Sequence, residues 1–399
     1  MSEVTDNYDK ELYEEIRLKN ELMVEGISFE PDIFEGLEIG TKYTEAIYAM
    51  FSTDRQMHTE YVFPACILTP KGKYRIQVRW IPNSPYKLRK DEDGKYRIWK
   101  GHDVVLDPVI FSPRSKYYDL KTSDGTWMRT IAQDVGHRNI FIPYSNECAL
   151  KDQGKDCLFC NINATRATYA DKQEIDWKTA DQIAETVKVA YAEGFDKLTI
   201  SGGFIPERRE VDYYVDVAEA IVEATGLEDF NGTACVGAPL DFSVFEKYKE
   251  AGYSTIATNL EIWNEGMFNL ICPGKKDYCG GRQNWLNALD EELQVFGKHK
   301  VRSTFVSGIE PKQSLLEGIE TLVEKGVIAI PSQWYVNAGS ALEGARTPEP
   351  DWHWEVFEKT VSIYRKNGVT WEELRNSTAE AFTVVHDLFR LYENIDIPL

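Results

Sequence analysis

From residue 135 onward the chain repeats one pattern: a short apolar run, a loop, then an amphipathic stretch of helical length. The runs are His137–Pro143, Lys197–Ile200, Gly232–Gly237, Tyr253–Thr258, Val301–Val306 and Val327–Pro331. The stretches between them, at about 178–193, 209–225, 242–251, 281–297 and 312–325, each carry apolar residues at helical spacing. Strand and helix alternating in this way predict a parallel sheet with helices packed outside it, an α/β fold. Whether such a sheet is open or curled into a barrel, ligands sit beyond the C-terminal ends of its strands. Chemistry is therefore expected on the loops that leave those strand ends.

The first 134 residues have a different rhythm. Tyr61–Leu68, Tyr74–Ile81 and Tyr96–Trp99 are short, aromatic and β-branched, and Pro70-Lys-Gly, Pro82-Asn-Ser-Pro and Asp91-Glu-Asp-Gly separate them. They predict antiparallel hairpins after one leading helix at about residues 8–24, an N-terminal α+β domain over 1–134 that binds substrate or a partner. The β/α region is expected over 135–345, and 346–399 as a helical extension with helices at Trp352–Lys366 and Thr370–Tyr392. No stretch approaches the roughly 18 apolar residues of a membrane span, and the polar N-terminus does not resemble a signal peptide. A soluble cytoplasmic protein is the expectation. Seven cysteines, an odd number, argue for free thiols or metal ligands rather than a disulfide framework. A net charge of −20 argues against broad contact with nucleic-acid backbone.

Three of those cysteines, Cys148, Cys157 and Cys160, share the loop after the first run of the β/α region. Three thiolates on one loop can ligate three irons of a [4Fe–4S] cube and leave the fourth iron for a small molecule. Two other uses compete at this point. Zinc would need a fourth ligand, and no histidine lies in the loop; a thioredoxin-like pair explains Cys157 and Cys160 and leaves Cys148 idle. Cys66 and Cys235 fall inside strand-like runs and read as structural.

In this loop, and in the strand-end segments C-terminal to it, the chain resembles the radical S-adenosylmethionine (SAM) enzymes, in their biotin synthase-like branch. The resemblance covers about residues 135–345 and implies a partial (β/α)6 barrel. The gap of eight residues between Cys148 and Cys157 is longer than that family's usual three. By resemblance, Cys148, Cys157 and Cys160 hold the cluster and Phe159 packs near adenine. Thr199-Ile-Ser-Gly-Gly-Phe204 is similar to the segment whose backbone binds the methionine amino group, through Gly202 and Gly203, with Phe204 in place of the family's acidic residue. Asn259 and Glu261, in Thr258-Asn-Leu-Glu-Ile262, would set polar side chains against SAM, Glu261 suiting a ribose diol and Arg282 a carboxylate. Gly308 and Ile309, in Phe305-Val-Ser-Gly-Ile-Glu-Pro311, would lie under the adenine. Pro331–Ser340 resembles the sixth-strand segment.

The resemblance implies a [4Fe–4S] cluster and SAM as cofactors, anaerobic chemistry, and reductive cleavage of SAM to a 5′-deoxyadenosyl radical that takes hydrogen from a substrate. A biosynthetic or cofactor-maturation step on a small molecule, by rearrangement, methylation or sulfur insertion, is the outcome the branch suggests, with a peptide or protein substrate as the variant. A flavodoxin or ferredoxin would supply the electron, and Lys151, Lys155, Arg166 and Lys172 would form its docking patch. Cys272, Tyr278 and Cys279, around Pro273-Gly-Lys-Lys, are candidates for donating hydrogen to a product radical. The rival readings are a zinc-dependent (β/α)-barrel hydrolase and a non-catalytic module with a structural metal.

Overall fold

The computed structural model describes residues 8–37, 64, 66–145, 147–162, 177–337, 339–377 and 383–395. The leading helix, α1, runs Lys10–Glu25. The Asp9 carboxylate starts it, accepting from the amides of Glu11 (2.9 Å) and Leu12 (3.3 Å). Six short strands come next: β1 (Cys66–Leu68), β2 (Arg75–Gln77), β3 (Tyr86–Lys90), β4 (Tyr96–Lys100), β5 (Asp103–Leu106) and β6 (Ile110–Phe111). They form two antiparallel three-stranded sheets, in the orders β2-β1-β6 and β3-β4-β5. The hairpins expected from the sequence are present, although residues 61–63 and 65 of the first expected strand lie outside the described residues. Leu22, Ile67, Ile76, Leu88 and Ile98 build a small core of their own, while Ile16 and Met23 of α1 belong to the main one.

A seven-stranded sheet forms the body of the chain: β7 (Gln133–Gly136), β8 (Asn139–Ser145), β9 (Lys197–Gly202), β10 (Gly232–Cys235), β11 (Tyr253–Ala257), β12 (Val301–Ser307) and β13 (Ile328–Gln333). The strands lie side by side in chain order. Neighbours from β8 to β13 are parallel, so the six expected strands make a curled partial barrel, and β7 adds an antiparallel edge. The expected first strand, His137–Pro143, needs a correction at its start. His137 and Arg138 have positive φ (46° and 58°) and form the two-residue turn of the β7–β8 hairpin. Such a turn needs left-handed backbone at both positions, and neither residue carries the Asn-Gly signature that would announce it.

Helices cover the sheet. After the short α2 (Ala149–Asp152) come α3 (Ala180–Glu193), α4 (Glu207–Thr225), α5 (Val244–Glu250), α6 (Glu265–Ile271), α7 (Pro273–Tyr278), α8 (Gly281–Phe296) and α9 (Lys312–Lys325). A reciprocal capping box between Thr179 and Gln182 starts α3, and Gly194, Gly226 and Gly326 close α3, α4 and α9 in the left-handed conformation. The sequence pattern announces no helix over 259–280. Two short ones occupy it, because the Asn264 side chain caps α6 and Pro273 stands at the first position of α7.

The extension holds α10 (Pro350–Lys366), α11 (Trp371–Ser377) and α12 (Val385–Tyr392). The single helix expected at 370–392 is thus two, with 378–382 outside the described residues. The N-terminal helix is fastened to this extension. Lys19 of α1 pairs with Asp387 of α12 at 2.7 Å with both side chains fully buried, and Asn20 receives the Gln333 side-chain amide at 2.8 Å and donates to Pro350 O at 2.9 Å. Among the described residues no helix is long and apolar enough to cross a membrane.

Candidate functional site

The site lies at the C-terminal ends of the parallel strands and is built around the cysteine loop. Cys148 immediately precedes α2. A left-handed Gly154 turns the chain, a Lys151–Asp156 pair (2.9 Å) braces it, and Cys157 and Cys160 share a tight turn in which Cys160 N donates to Cys157 O at 3.0 Å. Asn146, inside the loop, lies outside the described residues.

Three walls hold the loop. The end of β9 is the first: Ala149 N donates to Phe204 O at 2.7 Å, and Tyr144 OH donates to Gly203 O at 3.2 Å. A Cβ at Gly203 would lie 2.9 Å from Cys148 Cβ and closer still to the Glu147 carbonyl; one at Gly202 would lie 2.5 Å from the Tyr144 ring. The paired glycines are needed here because the strand end meets the loop backbone at one position and a packed ring at the other. The α6–α7 segment is the second wall: Leu158 N donates to Ile271 O (2.9 Å), Lys155 pairs with Asp277 (3.0 Å), and Gly274 packs on Leu150 and Lys155. The third wall lies beyond β13: Leu342 N donates to Leu158 O (3.1 Å) and Asn337 Nδ2 to Phe159 O (3.4 Å). Phe159 itself is half-buried against the main core.

The thiols feel one another. Burial first, and then the neighbouring Cys157 and Cys148, push the Cys160 thiol up to about 12. Cys157 is shifted down, chiefly because Cys272 hydrogen-bonds its sulfur and, after the opposing cost of burial, because the Lys275 ammonium is near. Among the described residues no three His, Cys, Asp or Glu side chains already converge on one point. The donor set suits an iron–sulfur cube nonetheless: three thiols on one loop, one of them strongly disfavoured as a free thiolate, need a cationic centre to ionise together.

Several of the other residues expected at the site are engaged within the protein. Asn259 ties strands together, its Oδ1 accepting from Thr304 N (3.1 Å) and its Nδ2 donating to Cys235 Sγ (3.5 Å). Cys66 is buried in β1, whereas Cys235 stands half-buried at the end of β10. Glu261 has φ 71°, left-handed for a non-glycine residue, and its carboxylate accepts from Lys275 Nζ at 3.0 Å. Arg282 stacks on Trp263 (4.4 Å to the ring centroid) and donates to Trp263 O at 2.6 Å. Gly308 has φ 117°, and a Cβ there would lie 2.9 Å from Pro348 Cδ and 3.1 Å from His353 Cε1; Ile309 beside it is half-buried. Cys272 and Cys279 are buried, while Tyr278 is 51% exposed. Burial and then Lys275, Cys157, Glu210 and Cys148 act on the Cys279 thiol, with the net effect of pushing it up to about 12, so it adjoins the cysteine loop. Of the four basic residues expected to form the docking patch, Lys151 and Lys155 carry acidic partners, and Arg166 and Lys172 lie outside the described residues.

Three charged residues at the site are not announced by the sequence. Glu310 is buried and accepts from Trp263 N (2.7 Å), Asn264 N (2.9 Å) and Ser314 Oγ (2.8 Å), locking the end of β12 to the start of α6. Glu210 accepts from Gly237 N (3.2 Å) beside the Phe204 ring, and burial pushes its carboxyl up to about 8. It shares an apolar face with Val211, Tyr214 and Val217, and that interruption is the available signal. Lys275 reaches the site from α7, a helix too short for periodicity to reveal.

No protein-family model matches the chain. In sequence it is 29% identical over 262 residues to the bacteriochlorophyllide c C-7(1)-hydroxylase of Chlorobaculum limnaeum, over 62% of this chain and 64% of that protein. The chain thus spans less than two-thirds of that relative's length. Among solved structures it is similar to methylornithine synthase (PylB; TM-score 0.43, 19% identity, 61% of this chain and 69% of that one). It is also similar to HydG, a maturase of the [FeFe]-hydrogenase (0.42, 16%, 62% and 54%), and to coproporphyrinogen III oxidase (HemN) from Escherichia coli, described as a radical SAM enzyme (0.39, 12%, 57% and 52%).

Proposed function

We propose that this chain is a radical SAM enzyme that acts in a biosynthetic or cofactor-maturation step, with Cys148, Cys157 and Cys160 as the ligands of a [4Fe–4S] cluster. The observation that carries the reading is the placement of three thiols on the loop after the first of six parallel strands, seated on Gly202-Gly203. Cys148, Cys157 and Cys160 would hold the cluster, and the chemistry it would supply is one-electron reduction of SAM followed by removal of a hydrogen atom from a substrate.

The chain's own residues would position the reactants. The backbone oxygens of Gly202 and Gly203 would accept from the cofactor's amino group, the backbone of Gly308 and Ile309 would lie against a base, and Glu261, one of its oxygens held by Lys275, would offer the other to a ribose. Arg282, held by Trp263, would pair with the cofactor's carboxylate. Cys279 and Cys272 are buried beside the loop and lead as hydrogen donors, ahead of the exposed Tyr278. A flavodoxin or ferredoxin is the proposed electron source. The relative named as a hydroxylase adds oxidation of a carbon–hydrogen bond to the rearrangement, methylation and sulfur-insertion outcomes.

Anaerobic reconstitution tests the proposal. The protein should turn brown, hold about four irons per chain, and form 5′-deoxyadenosine from SAM and dithionite. Cys157→Ala should abolish both iron and product. A colourless protein with one zinc, or a cluster that never cleaves SAM, would overturn it.

A further inference from the structure

Lys275 sits where a lysine is costly. It is 8% exposed, on a helix of six residues, with its Nζ 2.8 Å from Asn259 O, 3.0 Å from Glu261 Oε1 and 4.0 Å from the centroid of the Trp285 ring. Burying an ammonium is unfavourable unless partners replace its water. Here a carboxylate, a carbonyl and an indole face do so, and the charge is retained. The segment that carries it packs on the cysteine loop: Leu158 N donates to Ile271 O at 2.9 Å, Gly274 lies against Lys155 O, and Asp277 pairs with Lys155 at 3.0 Å, which brings the ammonium near enough to act on the sulfurs of Cys157 and Cys272. A fixed cation and its counter-anion thus stand beside Cys157, one of the three proposed iron ligands.

We propose that Lys275 is a positioning residue whose fixed positive charge beside Cys157, opposed by Glu261, sets how readily the cluster accepts an electron. The inference rests on the assignment of a cluster to Cys148, Cys157 and Cys160. Reduction adds one electron, supplied by an external one-electron donor such as dithionite or a reduced flavodoxin, and places one more negative charge on the iron–sulfur unit. A buried cation beside the cysteine loop favours that charge, and a buried anion disfavours it. The lysine acts through the cluster and touches no reacting carbon. A merely structural clamp on Asn259 and Glu261 would change thermal stability and leave the redox equilibrium alone.

The test is a dye-mediated redox titration of reconstituted protein without SAM, monitored by the electron paramagnetic resonance signal of the reduced cluster, with iron counted in every sample. In Lys275→Met the reduced-to-oxidised ratio at fixed potential should fall about tenfold, which for one electron is about 59 mV. Lys275→Arg should stay near wild type. Glu261→Gln should move the ratio in the opposite sense, because it leaves the ammonium uncompensated. Unchanged midpoints in fully loaded variants, or shifts of the same sign in Lys275→Met and Glu261→Gln, would overturn the inference. If Lys275→Met does not fold, Glu261→Gln alone decides: no positive shift overturns it. A wild-type chain that takes up no iron would instead refute the cluster assignment, so the two failures are distinguishable.

Discussion

Replacing Gly203 by Ala probes the seat of the cysteine loop with one carbon atom. The new Cβ would lie 2.8 Å from the Glu147 carbonyl carbon and 2.9 Å from Cys148 Cβ, against an ordinary contact of about 3.5–4.0 Å. Either the end of β9 or the loop must move by more than about half an ångström. The obstacle is backbone and the first carbon of Cys148, so no rotamer change relieves it. The cost belongs at the top of the overpacking range, about 3 kcal/mol. With an unfolding entropy of about 2.1 cal/mol/K per residue over 399 residues, that corresponds to a loss of roughly 3–4 °C in Tm. Cys148 is displaced in the same movement, so iron uptake should fall from about four atoms per chain to below about one. Gly266→Ala is the control: it lies in α6 with only Asn264 Oδ1 near, at 3.4 Å, and should gain up to about 1 kcal/mol with full iron. Thermal melts and iron analysis of the two variants read the outcome. Wild-type iron content and Tm in Gly203→Ala would refute the claim that this glycine seats the loop.

The packing sets three further outcomes. Lys19→Met removes the closer of two cations from the fully buried Asp387 carboxylate, leaving Arg390 at 3.7 Å, and should cost about 3 kcal/mol in thermal melts, while the double variant Lys19→Met, Asp387→Leu should recover part of the loss. Glu310→Ala leaves the amides of Trp263 and Asn264 without their acceptor; at about 1–3 kcal/mol for each buried unpaired group it should cost about 3 kcal/mol, and Glu310→Gln, which keeps one acceptor oxygen, about half that. Lys197, buried in β9 with Thr255 Oγ1 at 3.0 Å, is pushed down to about 7 by desolvation. The unfolded chain therefore binds a proton that the folded chain does not between pH 7 and about 10.4, and the penalty for burying the amine fades as pH rises through that window. Lys197→Met should be the more stable protein at pH 7, with an advantage that shrinks toward pH 10; an advantage that grows with pH contradicts the assignment.

The six parallel strands are legible in the sequence because β-branched runs alternating with amphipathic stretches leave few other ways to bury both. The cysteine loop is legible for the same reason, since its position after the first strand is a consequence of the alternation. Local chemistry that overrides pattern is not. His137 and Arg138 take a turn conformation their side chains do not advertise. Asn264 and Pro273 start two helices too short for periodicity to show. Lys275, Glu210 and Glu310 look like surface charges in the sequence and are buried only because distant segments meet them: Glu261 for the first, Gly237 for the second, the amides of Trp263 and Asn264 for the third. Charge tells a reader of sequence to expect solvent, and burial of a charge is decided by tertiary partners.

The central claim is a coordination vacancy on an iron cube held by Cys148, Cys157 and Cys160. Electron–nuclear double resonance on the reduced, reconstituted protein with SAM labelled with ¹⁵N at the amino group and ¹⁷O at the carboxylate tests it most directly. The account predicts hyperfine coupling of both labels to the cluster, absent when unlabelled SAM is used. A four-iron cluster that shows neither coupling, its fourth iron held by a protein side chain, would contradict it.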